Sequence, residues 1–288
     1  MVLGRYSQRR NSGFTFIELL VVISIIAILI GLLAASLIKV RQAANQTKSL
    51  DHLRQLAEAS IHCNEQWRKL PPGVGSFPRA ASPSGTVFYW LLPHLGNDSG
   101  VFVAPNDPSL PPNNILDNGL EGCSYAGNGY VFWGDEGLTW ADIARDSPPK
   151  SNKFRTAGIR EMTDGPANTI LFMEKYATCT LVKNPRKGYE ENGPGQHGWA
   201  DATLVGKKIG TNGYYSNFTP IQLSLASPQF QPALLDADCK LPQGLSHTSI
   251  GVAMADGSSR LVSSRVSPKT WGLLLLPNDG QIVPEDWR

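Results

Sequence analysis

Gly13-Phe14-Thr15-Phe16-Ile17-Glu18, followed by Leu19-Leu20-Val21-Val22-Ile23, opens the apolar part of this chain and decides how it is read. From Leu19 to Ile38 no charged residue occurs, and only Ser24, Gly31 and Ser36 interrupt the apolar character. As a helix, a run of this length covers about 30 Å, the thickness of a bilayer core. A helix of a soluble domain carries apolar residues on one face; this run carries them all round. Residues 14–38 are therefore expected to cross a membrane.

Such a segment has three uses. It can be a cleaved secretory signal, with Ala34-Ala35-Ser36 as a small-residue cleavage site. It can be an export signal read through Arg9-Arg10. It can be a leader followed by a retained helix. Glu18 separates them. A carboxylate in lipid costs roughly 2.5–3.5 kcal/mol at the bilayer centre and less at its edge. A plain signal or anchor has no use for that cost, unless the side chain merely snorkels to the headgroups. A helix whose N-terminus becomes a free amine supplies a partner for the carboxylate. Gly13-Phe14-Thr15-Phe16-Ile17-Glu18 resembles the type IV prepilin signature. That resemblance implies cleavage between Gly13 and Phe14 by a prepilin peptidase. It also implies N-methylation of Phe14 and pairing of Glu18 with the Phe14 ammonium of another pilin or pseudopilin subunit.

Arg5, Arg9 and Arg10 place residues 1–13 on the cytoplasmic side, although Lys39, Arg41 and Lys48 flank the other end of the run. The expected topology is a single pass through the inner membrane with the body in the periplasm. Taking the three arginines from the net charge of +2 leaves −1. The chain from Phe14 on is near neutral and has no basic stripe suited to nucleic acid.

No proline occurs from Phe14 to Leu70, and Pro71-Pro72-Gly73 ends any helix. Leu50, Leu53, Ala57, Ile61 and Trp67 recur at spacings near three and four. Residues 39–70 are read as an amphipathic extension of the same helix. Beyond Pro71 the pattern changes to short apolar runs among 28 glycines and 21 prolines. Expected strands are Val87–Leu92, Tyr125–Trp133, Thr169–Tyr176, Ile250–Ala255 and Arg260–Ser264. Asp256-Gly257 makes the last two a hairpin. Thr163-Asp164-Gly165-Pro166 is a second turn, and residues 185–198 form an exposed loop. The fold class is α+β and pilin-like: a long N-terminal helix packed on an antiparallel sheet with long loops. The expected division is a leader 1–13, a transmembrane helix 14–38, an extension 39–70 and a β-rich body 71–288.

Cys63, Cys123, Cys179 and Cys239 form no C-x-x-C and allow three disulfide pairings, with free buried thiols as the alternative. The histidines show no i, i+4 metal pair and no hydrolase motif is present. No cofactor is expected. Asp164 and Asp256 are weighed for calcium, but no Asp-x-Asp-x-Asp-Gly array accompanies them. His247 with Asp256 is weighed as a base and its orienter, against His247 bonding the hairpin and Asp256 supporting the turn.

Several blocks resemble the prepilin-type proteins of domain of unknown function (DUF) 1559, whose C-terminal region is named for a His-x9-Asp-Gly motif. They are Phe16–Ile23, Leu53-Arg54-Gln55-Leu56, Trp90–Leu95, Ser124–Asn128, Ile159–Gly165 with Asn168-Thr169-Ile170, and Ser246-His247 to Asp256-Gly257-Ser258. Here eight residues, not nine, separate His247 from Asp256. The family's helix proline aligns with Ala35, and two of its cysteines align with Ser49 and Ala104. The resemblance implies a pilin or pseudopilin-like structural subunit of a type II secretion or type IV pilus-like system. A membrane-anchored binding module for a polysaccharide, envelope or protein ligand is the alternative. The motifs do not point to an enzyme.

Overall fold

The structure, a computed structural model, describes residues 15–79, 84–116, 119–132, 158–180, 194–196, 221–222, 226–239 and 241–287. Gly13, Phe14, Trp133 and most of the expected 185–198 loop lie outside these residues. The chain divides into two compact units, 1–44 and 45–288.

Helix α1 runs Phe16–Trp67, 52 residues without a break. In the first unit its large apolar side chains are exposed from Phe16 to Val40. In the second unit Leu53, Leu56, Ala57, Ala59 and Cys63 are buried. Of the residues the spacing picked out, Leu53 and Ala57 are buried, Leu50 and Ile61 are half-buried, and Trp67 is a correction. Trp67 is 38% exposed and meets Phe77 edge-on at 6.2 Å, because it closes the helix beyond the packed turns.

Strands β1 (Val74–Ser76) and β2 (Ser84–Thr86) form a small antiparallel pair. Residues 87–92, expected as a strand, are instead helical: α2 covers Val87–Leu91 and a 3-10 turn follows to Leu95. Thr86 caps α2, its Oγ1 accepting the Tyr89 N–H at 3.1 Å. Val87, Phe88 and Leu91 turn inward while Tyr89 stays exposed, a helical period rather than an alternating one. Likewise the strand expected over 125–133 stops early. Strand β3 is Tyr125–Asn128, and a helical turn α3, Gly129–Phe132, takes over. The Asn128 side chain starts that turn by accepting the Tyr130 N–H.

The remaining strands are β4 (Ile170–Glu174), β5 (Thr178–Thr180), β6 (Pro194–Gln196), β7 (Ile221–Gln222), β8 (Gln229–Phe230), β9 (Gln243–Gly244), β10 (Ser249–Met254) and β11 (Ser259–Ser263). The main sheet has the order β11-β10-β4-β3-β7. Its first four strands are antiparallel; β7 joins β3 in parallel. Strand β6 lies inside the segment expected as a loop and pairs with β5. The β10–β11 hairpin turns at Asp256-Gly257, where Gly257 has φ +90°.

The sheet is covered on both faces. One face carries Tyr125, Leu171, Phe172, Ala253 and Ala255, packed with α1, α2 and Phe102. The other carries Ile250, Val252, Met254, Ile170 and Met173, packed with Trp271, Leu274 and Leu275 of α4 (Pro268–Leu275) and with Trp287. The apolar spacing alone does not mark α4. It is eight residues long and Ser267 caps it, its Oγ accepting the Thr270 N–H. The fold is thus α+β, a long N-terminal helix with an antiparallel sheet, consistent with a pilin-like architecture.

Cys179 and Cys239 form a disulfide, while Cys63 and Cys123 are free and buried. Burial raises the Cys63 thiol to about 12, so it stays protonated and acts as a small apolar group.

Candidate functional site

Thr15 and Glu18 open α1 with a reciprocal pair of bonds. The Thr15 N–H and hydroxyl both donate to Glu18 Oε2, at 2.8 and 2.7 Å. The Glu18 N–H donates to Thr15 Oγ1 at 3.3 Å. This is a capping box, and it satisfies amide groups that would otherwise lack partners at a helix start. Among the described residues nothing donates to Oε1, which leaves half of the carboxylate open. The T-x-x-E spacing carried this signal, and a reading of Glu18 for assembly alone misses it.

The apolar run is internally satisfied. The Ser24 hydroxyl donates to Leu20 O at 2.7 Å, and the Ser36 hydroxyl to Leu33 O at 2.9 Å. A helix with its backbone and hydroxyl groups bonded within itself is the form a bilayer core accepts. This is the one helix among the described residues long and apolar enough to cross a membrane.

In the second unit the polar groups of interest are buried. The Glu174 carboxylate accepts from Ser49 Oγ at 2.7 Å, Gly251 N at 2.9 Å and Leu245 N at 3.1 Å. Burial pushes it above the usual carboxylate range, and these donors oppose that. Tyr125 Oη donates to Ser49 Oγ at 3.2 Å, and His52 Nδ1 meets Val103 O at 3.0 Å. Ser49 is thus engaged in a polar cluster between α1 and the sheet.

His247 and Asp256 stand at opposite ends of β10, separated by about 20 Å of extended strand. They cannot act on one atom as base and orienter. Asp256 supports its turn: Oδ1 accepts from the Ser258 N–H and hydroxyl, and Oδ2 lies 3.6 Å from Arg260. His247 is exposed in the bend before β10. Asp164 accepts the N–H groups of Asp279 and Gly280 and so ties its turn to the bend at 279–280. Among the described residues no group of three metal-ligating side chains converges.

Residues 8–34 match the family model described as the prokaryotic N-terminal methylation motif. The segment is a prepilin-type methylation motif. It implies processing by a prepilin peptidase and a pilin-like mode of assembly, and the apolar helix it opens is consistent with membrane anchoring. No curated protein and no solved structure matches the chain. The motif covers Thr15, Glu18 and most of the apolar run, so the capping geometry described above belongs to it.

Proposed function

We propose that this protein is a membrane-anchored pilin- or pseudopilin-like structural subunit of a type II secretion or type IV pilus-like system, and not an enzyme. The leader, residues 1–13, stays in the cytoplasm and is cut between Gly13 and Phe14. The Phe14 amine is then methylated. Residues 14–38 wait in the inner membrane, 39–70 continue the helix, and 71–288 form the body in the periplasm. On its sequence blocks we place the chain with the proteins of domain of unknown function 1559.

One observation carries the reading. The methylation motif coincides with an exposed apolar run, residues 16–38, whose one carboxylate, Glu18, has an oxygen that takes no donor among the described residues. In lipid that oxygen needs a cation, and the ammonium of Phe14 on a neighbouring subunit supplies it. Two such charges attract strongly in a low-dielectric seam, and either one alone is costly there. The pairing sets the stagger between subunits.

Replacing Glu18 with Ala tests this. The variant is cut and anchored as the parent is, but the amount recovered as sheared or cross-linked multimers falls at least about tenfold, the loss of one buried charge-assisted pair. Multimers at parental yield would remove the basis for a subunit role.

A further inference from the structure

Strand β10 alternates large and small side chains. Ile250, Val252 and Met254 face the α4 side; Gly251, Ala253 and Ala255 face the α1 side. Contacts track along α1 in the same direction. Gln46 Nε2 donates to Ser249 Oγ at 3.1 Å. A Cβ on Gly251 would lie 2.9 Å from Leu53 Cδ1, and one on Gly257 would lie 3.2 Å from Ile61 Cδ1. Residues 46–61 cover about 22 Å of helix, and Ser249–Met254 about 17 Å of strand with the turn beyond it. The C-terminal block that contains His247, Asp256 and Gly257 is therefore, in large part, the seat of α1.

A seat lined by hydrogens and methyl groups has shallow relief. Helix packing selects its register through ridges that enter grooves, and such a face offers few grooves. Polar contacts select register more sharply, because a misplaced buried polar group is left unpaired. We infer that Glu174 and Ser49, steadied by Tyr125, pin the axial register of α1 on the body. The Glu174 carboxylate sits where Gly251 leaves room for it, held from β10 by the Gly251 N–H and from the preceding bend by the Leu245 N–H. Among the described residues its other oxygen takes its donor from α1, at Ser49. A slip of one turn, about 5.4 Å, brings Asn45 or Leu53 to that place. Leu53 carries no donor, and the longer Asn45 side chain does not reproduce the short hydroxyl bond. The register claim concerns the body only. Its use, passing axial force from helix to body, rests on the subunit reading above.

The full-length chain in detergent micelles tests the pin. Gln46→Cys with Ser249→Cys reports the native register; Leu50→Cys with Ser249→Cys reports a one-turn slip. Mild oxidation followed by peptide mass spectrometry counts each bridge. In the parent background the first pair bridges and the second does not. Adding Ser49→Ala, or Tyr125→Phe, raises the slipped bridge about tenfold, as loss of a hydrogen bond to a buried charge or its support implies. A slipped bridge that stays at parental level in both backgrounds overturns the inference. Loss of cooperative unfolding in both overturns it too, since a group that only selects register leaves the body folded. Assembly is not read here, so the outcome is independent of the Glu18 experiment.

Discussion

Gly251 has no room for a side chain. An added methyl would meet Glu174 Oε1 and Leu53 Cδ1 at 2.9 Å, both anchored in the core. Gly251→Ala is expected to lower stability by about 1–3 kcal/mol, the usual cost of overpacking, in chemical denaturation of the full-length protein. An unchanged midpoint would mean that the Glu174 site is loose. Lys175 makes a second prediction at this scale. It is buried, its ammonium donates to Cys239 O and Leu241 O, and desolvation lowers it to about 7. Between about pH 7 and its ordinary 10.5 the unfolded chain binds more protons at this site than the folded one. Stability must therefore rise with pH across that window. Burial lowers His52 as well, so stability falls further as pH drops below 6.5. In Lys175→Met the rise above pH 7 flattens, and melting curves at several pH values show whether it does. Neither Glu174 nor Lys175 was legible in the sequence. A charged pair at the end of an apolar strand reads as its solvated edge, and only the fold shows four elements closing over it.

The elements differ in how plainly they are written. The β10–β11 hairpin was legible because Asp-Gly turn chemistry is local. Gly257 adopts the left-handed region there, and Asp256 caps the turn. Gly257→Ala should cost about 1–2 kcal/mol in thermal unfolding, from the strained φ and the contact with Ile61. A loss below a few tenths would contradict the turn's role. The run 87–92 was misread because six residues are too few to separate a helical from an alternating period. Thr86, which ends β2 and caps α2, was the available sign. Helix α4 was missed for the same reason, although Ser267-Pro268 is a capping residue followed by the proline favoured at a helix start. The long helix α1 was legible because its signals are summed over 52 residues and end at a proline pair.

At the scale of the whole body, two constraints tie segments distant in sequence to one another, beyond the apolar packing on both sheet faces. One is the polar cluster between α1 and the sheet. The other is the Cys179–Cys239 disulfide, which joins residues 60 apart. By loop-closure entropy a bridge of that span contributes about 4 kcal/mol. Reduction should lower the melting temperature of the full-length protein clearly, and an intact mass heavier by two hydrogens confirms the change of state. Equal melting with and without reductant would show that the bridge constrains nothing. The sequence left its pairing open among three choices, since the partners meet only once β4, β5 and the segment after β8 are folded.

The account turns on where the mature chain begins. N-terminal mass spectrometry of the protein recovered from membranes reads this directly. The expected first residue is Phe14, bearing one methyl group on its amine. A chain that retains Met1, or one trimmed near Ser36, would contradict the account, because Glu18 would then have no ammonium to meet.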